Sequence, residues 1–256
     1  MIREGLFDIF IYFMVNYEGA RKRGIIVAID GTAGCGKSTT AKAVARSLGY
    51  LYLDTGAMYR AFALKVLRSG IPLGETSSIG SLAEKTYVTL GNDDGEISVF
   101  LDGEDVTALI RSPEISSAAS VISAVKHVRE VLANQQRKIG EAGGVVAEGR
   151  DMGTVVFPVA GLKIFMTASL EERAKRRRRE LQLRGIEVSD QAVLEELKTR
   201  DERDTSRANS PLRRAPEAVE IDTTSLTIEE QVARVLSLVK EHTIPEEARE
   251  KMRDGC

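Results

Sequence analysis

The sequence has only two cysteines and no long apolar run, and these absences exclude several classes of protein. Cys35 and Cys256 cannot build the disulfide framework of a small secreted domain, so a reducing compartment, the cytoplasm, is expected. The most apolar stretch near the N-terminus, residues 6–15, contains an aspartate and is much shorter than a bilayer span. Basic residues 21–23 follow this stretch, whereas a signal peptide carries them in front. We therefore expect no membrane segment.

Neither sign of charge is in excess. The chain has 36 lysines and arginines against 38 aspartates and glutamates, which gives a formal net charge of −2. Such a chain is not attracted as a whole to nucleic acid or to an anionic membrane, so an anion site must come from local clusters of basic residues. The sequence also lacks an internal repeat and the N/T-K-x-D motif that reads guanine in GTP-dependent switches.

Short apolar segments alternate with helical patterns along most of the chain. The apolar segments that predict strands lie at residues 25–30, 51–54, 145–148, 162–167 and 219–222. The helical patterns reach up to residue 48 and recur at residues 55–68, 113–140, 170–184, 190–206 and 227–241. This alternation predicts an α/β fold with a parallel sheet covered on both faces, whose ligands collect at the carboxyl ends of the strands.

Two segments depart from this alternation. Between residues 85 and 106 apolar and polar residues alternate around the turn residues 92–95, which predicts a hairpin or a small three-stranded excursion. Residues 243–256 are highly charged and end in Gly-Cys, so we expect a loose C-terminal tail.

A glycine-rich motif follows the first predicted strand. Gly31, Gly36, Lys37 and Ser38 complete the pattern G-x-x-x-x-G-K-[ST] directly before a predicted helix. Glycines there let backbone N–H groups converge on phosphate oxygens, and the helix N-terminus adds positive potential. Lys37 is expected to reach the β- and γ-phosphates of ATP, and Ser38 to offer its hydroxyl to Mg²⁺. The expected ATP contacts are Gly31, Thr32, Ala33, Gly34, Cys35, Gly36, Lys37, Ser38 and Thr39.

Cys35 lies inside this loop and allows two interpretations. A thiol near a helix N-terminus can have a lowered pKa and be reactive. Alternatively, cysteine only fills a position that needs a small side chain, and we favour this interpretation.

Charged residues also follow the next two strands of the predicted sheet. The second strand ends at Asp54, Thr55 is a suitable helix N-cap, and Arg60 lies in the helix that follows. The third ends in AEGRDMGTVVFP and places Glu148, Arg150 and Asp151 at the same edge. A single arginine on a helix is commonly solvated, but an Arg-Asp pair between glycines at a strand end favours a binding site.

Two later helices carry many arginines. Residues 176–179 are four consecutive arginines, and residues 200–207 place charged groups on one helical stripe. A nucleic-acid patch and ion pairs within each helix are alternatives. Two such helices around RGIEVSD instead suggest a lid over phosphates, because guanidinium groups match phosphate oxygens bidentately.

Several longer motifs occur in one order between about residues 25 and 240. They are IDGTAGCGKSTTAKAVA, LYLDTGAMYR, SAAS with HVRE, EGRDMGTVVFP and RDERDTSR. Together they resemble the bacterial cytidylate kinases, a P-loop nucleoside monophosphate kinase family. The resemblance implies ATP-dependent phosphorylation of CMP and dCMP on a three-layer P-loop fold. It assigns CMP binding to Thr55, Arg60, Ser120, Arg129, Arg150, Asp151, Arg200, Asp204 and Arg207.

The chemistry of these residues suits the implied roles. Arg60 and Arg150 would hold the phosphate of CMP, and Asp151 would accept from the N4 amino group of cytosine. Ser120 and Arg129 would donate to the other edge of the ring. Asp204, tied to Arg200, would accept from the ribose. The groups expected to stabilise charge during transfer are Lys37, Arg176, Arg177 and Arg203.

The resemblance also implies a domain organisation. Residues 24–54 and 142–242 would form the core, with a lid at about 173–207, and residues 55–141 would form an inserted acceptor domain. Residues 1–23 have no counterpart and are assigned no role. We expect a monomer whose partners are small nucleotides. UMP, AMP or shikimate as acceptor, a P-loop switch and a nucleic-acid-stimulated ATPase are the alternatives.

Overall fold

The computed structural model describes residues 24–93 and 96–243, without the side chains of residues 92, 93 and 96. The N-terminal extension and almost all of the charged tail lie outside the described residues. The strands are β1 (Ile26–Gly31), β2 (Leu51–Asp54), β3 (Val88–Asp93), β4 (Glu96–Leu101), β5 (Glu104–Asp105), β6 (Val145–Gly149), β7 (Leu162–Thr167) and β8 (Val219–Asp222). The helices are α1 (Lys37–Leu48), α2 (Thr55–Arg68), α3 (Thr76–Ala83), α4 (Pro113–Ile122), α5 (Lys126–Gly140), α6 (Leu170–Leu183), α7 (Asp190–Ser206) and α8 (Ile228–Thr243).

Five strands form a parallel sheet in the order β2-β6-β1-β7-β8. The central strands are buried on both faces, as their continuous apolar sequences require: Val27, Ala28 and Ile29 of β1 have no exposed surface. β1 pairs with β6 on one side and with β7 on the other. The connection that leaves β1 therefore runs to one side of the sheet and the connection that leaves β6 runs to the other, which makes the carboxyl end of β1 a crossover point. The predicted α/β fold with a central parallel sheet is confirmed, and ligands bind at such a crossover point.

A second, smaller sheet lies in the segment between β2 and β6. Strands β3, β4 and β5 are antiparallel, as the alternating pattern predicted, and α2 packs against β4 and α4. Phe62 of α2 and Ile122 of α4 are fully buried in the core that these elements share with the large sheet. This segment therefore stands beside the carboxyl edge of β2.

The helical pattern at residues 113–140 is two helices. The backbone of Val125 is extended (φ −73°, ψ 116°), so α4 ends at Ile122 and α5 begins at Lys126. The break frees the carbonyl of Ser123, which accepts a hydrogen bond of 2.9 Å from Arg129. Neither α3 nor the π-helical turn Met152–Val156 was predicted from the sequence pattern.

Candidate active site

The glycine-rich loop joins β1 to α1 and leaves the N-terminus of α1 uncapped. Gly36 occupies the N-cap position with φ 97°, and no side chain caps the helix. Gly31 has φ 151°, and a Cβ there would lie 2.0 Å from the carbonyl oxygen of Met166. Only glycine fits these two positions, because both combine a left-handed backbone with close neighbours. The loop thus presents backbone N–H groups at a helix N-terminus, which is an anion site.

Lys37 begins α1 with its side chain folded into the loop. It is buried, and its ammonium donates a hydrogen bond of 2.8 Å to the carbonyl of Thr32. Burial lowers the pKa of Lys37, and the positive charge of Arg150 lowers it further. A phosphate nearby would stabilise the charged ammonium. Cys35 is fully buried in the same loop, which fits the interpretation that it fills a small position.

Ser38 contacts a carboxylate at the end of the neighbouring strand. Its hydroxyl donates a hydrogen bond of 2.5 Å to Oε1 of Glu148, the fourth residue of β6. The Tyr52 hydroxyl donates to the same oxygen at 3.2 Å. Two oxygen groups, one hydroxyl and one carboxylate, therefore stand together beside the phosphate loop.

The end of β2 supplies the next part of the site. Asp54, and not Thr55, is the N-cap of α2: its carboxylate accepts from the backbone N–H of Ala57 at 2.8 Å. The N-cap assigned to Thr55 is wrong because its hydroxyl instead donates to the carbonyl of Glu148 at 2.7 Å. Arg60 lies one and a half turns into α2 and pairs with Asp54 at 3.2 Å. This pairing holds Arg60 at the edge of the sheet.

Three arginines surround Asp204 of α7. Arg150 donates to its carboxylate at 2.7 Å, and Arg207 lies 3.7 Å from its other oxygen. The expected tie between Asp204 and Arg200 is therefore replaced by one with Arg150, which reaches across from the end of β6. Burial acts to raise the pKa of Asp204, but the charge and hydrogen bond of Arg150 outweigh burial and lower it.

Arg200 stays without a hydrogen-bond partner among the described residues. Burial lowers the pKa of Arg200 to about 10, and the neighbouring charge of Arg150 contributes next. Arg200 is half-buried, and the charge of Asp204 opposes this lowering only in part. A guanidinium withdrawn from water beside other guanidinium groups is costly unless anions compensate it. Its surroundings therefore favour an anionic ligand.

Arg129 and Asp151 form a buried ion pair at the break between α4 and α5. The Arg129 guanidinium also lies over the ring of Tyr59, 5.5 Å from the centroid, a cation–π contact. Asp151 lies two residues after the end of β6. Asp30, near the end of β1, holds the turn after Asp151 by accepting from the N–H groups of Met152 and Gly153, both at 2.8 Å. These contacts hold a charged pair rigidly at one wall of the cleft.

Three further arginines, expected from the sequence to act in catalysis, contact different partners. Arg176 donates to the Thr223 hydroxyl at 3.1 Å and to its carbonyl at 2.6 Å. Arg177 pairs with Glu180 at 3.0 Å on its own helix. Arg203 donates to the Ser120 hydroxyl at 2.7 Å and so joins α7 to α4.

Most of these groups line one cleft of about 800 Å³ at the carboxyl edge of the sheet. Every residue expected to contact CMP lines it, together with Lys37, Arg176 and Arg177. Of the remaining expected residues, Ala33, Gly34, Gly36, Ser38 and Thr39 also lie on its wall. The cleft wall does not include Gly31, Thr32, Cys35 and Arg203. The volume is in the range of small-molecule sites.

Sequence reasoning missed several residues that shape this site. Tyr52 and Thr223 lie inside apolar or turn sequences, and nothing in their local pattern distinguishes them. Arg173 was seen only as part of a basic run, yet it is buried and contacts the loop carbonyl of Ala33 at 3.2 Å. Asp30 and Glu148 were the exceptions: each stands at the end of a predicted strand, and that position is a signal in the sequence.

Over the described parts of the chain, no helix is both long and apolar enough to cross a membrane. The described residues also contain no group of three or more histidine, cysteine or acidic side chains that could hold a metal ion by themselves.

Comparisons with known proteins agree with the motifs. A family model described as Cytidylate kinase matches residues 27–241. A cytidylate kinase of Caldanaerobacter subterraneus subsp. tengcongensis is 54% identical over 217 residues, which cover 85% of this chain and 95% of the relative. One from Geobacter sulfurreducens is 48% identical over 224 residues, 88% of this chain and 96% of the relative.

A solved structure of shikimate kinase from Bacteroides thetaiotaomicron aligns with 84% of this chain and 98% of its own, with 15% identity and a TM-score of 0.44. The family match extends from β1 into α8 and so includes the phosphate loop and every described element around the cleft. On the strength of that match and of relatives near 50% identity, the chain belongs to the cytidylate kinase family of nucleoside monophosphate kinases.

Proposed function

We propose that this chain transfers the terminal phosphoryl group of ATP to CMP and dCMP, which yields ADP with CDP or dCDP. The observation that carries this proposal is the convergence of Arg60, Arg150 and Arg200, from three separate segments, on the cleft that begins at the phosphate loop. Two phosphorylated ligands that meet end to end need this distribution of positive charge.

The reaction needs positioning more than acid–base chemistry. A phosphate oxygen of CMP attacks the γ-phosphorus of ATP while the bond from that phosphorus to the β–γ bridging oxygen breaks. The attacking phosphate is already a nucleophile, so no general base is required. Lys37, Arg176 and Arg177 are proposed to neutralise the charge that develops, and Arg203 to assist after it leaves Ser120.

Base recognition is proposed for the wall that carries the ion pair. Asp151 would accept from the N4 amino group of cytosine while Arg129 holds the carboxylate in place, and Ser120 would donate to the ring. Uracil has a carbonyl at that position and would face a buried carboxylate without a donor, which is unfavourable. Arg207 and Asp204 lie beside this wall and are proposed to contact the sugar.

The residues present suit a magnesium ion bound with ATP. Mg²⁺ prefers oxygen ligands and is commonly held by one or two protein groups together with substrate phosphates. The Ser38 hydroxyl and the Glu148 carboxylate are such groups, and they lie 2.5 Å apart beside the loop. Bound there, the ion would neutralise phosphate charge.

We further propose the domain boundaries that the resemblance implies: a core of residues 24–54 and 142–242, an acceptor domain of residues 55–141 and a lid near residues 173–207. Arg203 of the proposed lid contacts Ser120 of the proposed acceptor domain, and Asp204 of the lid contacts Arg150 of the core. These two contacts support a lid that closes between core and acceptor domain. A monomer in the cytoplasm is the accompanying prediction.

A coupled assay of ADP release tests the function. We expect ATP turnover that depends on CMP or dCMP, with much weaker turnover on UMP, AMP or shikimate. Turnover that does not respond to CMP would refute the proposal. Turnover stimulated by RNA or DNA instead would favour a nucleic-acid-dependent ATPase.

A further inference from the structure

We propose that Tyr52 is a positioning residue for the reaction: its hydroxyl holds Glu148 so that Ser38 presents its oxygen to the cation that accompanies ATP. The inference rests on the proposed function. Tyr52 lies on β2, behind the cleft wall, and does not line the cleft itself. It therefore acts through Glu148.

The geometry points to an arranged group rather than a chance contact. Ser38 and Tyr52 both donate to Oε1 of Glu148, at 2.5 and 3.2 Å, and Tyr52 and Glu148 are both buried. No donor among the described residues bonds to the other carboxylate oxygen, Oε2. One carboxylate oxygen is thus held by two hydroxyls, and the other is available to a ligand in the cleft.

The direction of the Ser38 bond matters for its chemistry. A hydroxyl that donates its proton to Glu148 must turn its lone pairs elsewhere, and a cation binds through those lone pairs. If Glu148 moved, the Ser38 hydroxyl would be free to rotate. Groups that orient a metal ligand in this way affect the affinity for the metal without touching it.

Tyr52 also prevents a competing arrangement. Glutamate has a flexible side chain, and the positive groups of Lys37 and Arg150 lie close enough to Glu148 for mutual electrostatic effects. A Glu148 carboxylate that turned toward either group would form an ion pair with a basic side chain that is needed to bind phosphate. The Tyr52 ring is packed among core residues such as Val44 and Val146, so its hydroxyl is a fixed donor.

The test is the coupling between ATP and Mg²⁺ binding, which does not depend on turnover. ATP affinity is measured by calorimetry with Mg²⁺ and with EDTA. The dissociation constant in EDTA divided by that in Mg²⁺ is the coupling ratio. Tyr52→Phe should reduce this ratio about tenfold, the low end of effects from ligand-orienting groups. Its ATP affinity in EDTA should stay within about twofold. Tyr50→Phe, two residues earlier on the chain, is the matched control and should leave the ratio unchanged.

A second variant excludes a merely structural effect. In Glu148→Asp the shorter carboxylate no longer reaches Tyr52, so adding Tyr52→Phe should cause no further loss of coupling. An unchanged ratio in Tyr52→Phe, or an equal loss of affinity in EDTA, would overturn the inference, as would a wild-type protein without coupling. Failure of the proposed function is seen separately, as the absence of CMP-dependent ADP release.

Discussion

At the scale of single residues, the cleft is set by which arginines are already paired and which are not. Arg129 pairs with Asp151 and Arg150 with Asp204, whereas Arg200 has no partner among the described residues. Paired arginines are held in place for a ligand, whereas Arg200 has only the partial compensation of the nearby Asp204 charge. This difference is consistent with the proposed binding of phosphate by the arginines and of base and sugar by the paired carboxylates.

Two substitutions in the cleft should differ in their effects. Lys37→Met removes the ammonium that is proposed to reach the transferred phosphate, so turnover should fall by several orders of magnitude. Ser120→Ala removes one hydroxyl from the proposed base site and should cost about 1 to 3 kcal/mol of discrimination between cytosine and uracil nucleotides. Steady-state kinetics with CMP and UMP measure both. The reverse ranking would contradict the assignment of these two residues.

Asp30 gives a prediction for pH. Burial raises the pKa of Asp30 to about 6 from 3.8, although the N–H groups of Gly153 and Met152 oppose the rise. The protonated form is therefore favoured in the folded state, and its contribution to stability is complete below the unfolded pKa and is lost as pH rises through about 6. Relative to Asp30→Asn, the wild type should lose about 2 to 3 kcal/mol of unfolding free energy between pH 4 and 7. Urea denaturation across that range measures the difference, and two parallel pH profiles would show that Asp30 does not titrate there.

At the scale of elements, β8 and α6 are tied to the phosphate loop through one buried threonine. Thr223 has no exposed surface, and its hydroxyl donates to the carbonyl of Cys35 at 2.7 Å while it accepts from Arg176. The loop after β8, the first turns of α6 and the phosphate loop are thus joined by this one threonine. As long as these hydrogen bonds hold, α6 cannot move away from the phosphate loop.

Thr223→Val tests this tie, because valine has nearly the same shape but no hydroxyl. The loop carbonyl and the Arg176 guanidinium would each lose a partner, at a cost of about 1 to 3 kcal/mol of unfolding free energy. Arg176 keeps its bond to the backbone carbonyl of residue 223, so turnover should fall only about tenfold, which corresponds to about 1.4 kcal/mol of transition-state stabilisation. Thr223→Ser keeps the hydroxyl and should stay close to wild type in both chemical denaturation and turnover. Equal behaviour of the valine and serine variants would show that the hydroxyl is not used.

At the scale of the whole molecule, the described residues form one α/β fold with its cleft at one edge. The family match begins at residue 27, and the residues lining the cleft run from Ala33 to Gln231. Everything that the proposed reaction uses therefore lies inside the matched region.

Removal of residues 1–23 should consequently leave catalysis intact. We expect kcat/KM for CMP within about twofold of the full chain, because every residue proposed for the reaction lies at position 31 or later. The coupled assay on both proteins measures this, with thermal unfolding as the control for folding. A loss of tenfold or more in the truncated enzyme would assign the extension a part in the reaction.

Much of this organisation could be predicted from sequence, because the signals are local. The phosphate loop occupies a few consecutive residues between a strand and a helix, and the alternation of strands and helices indicates a parallel sheet with its ligands at one edge. The break at Val125 and the short helix α3 were missed because helical spacing continues across the first and is too brief in the second.

Which side chains become hydrogen-bond partners could not be predicted from the sequence in the same way. The sequence by itself determined the fold class, the phosphate loop and the kinase family, since each depends on residues that are close together or in a set order. Only the tertiary structure decided that Asp204 pairs with Arg150 rather than with Arg200, that Tyr52 supports Glu148, and that Thr223 holds Cys35. These partners are 54, 96 and 188 positions apart, and a hydrogen bond depends on distance in space, which no local pattern records.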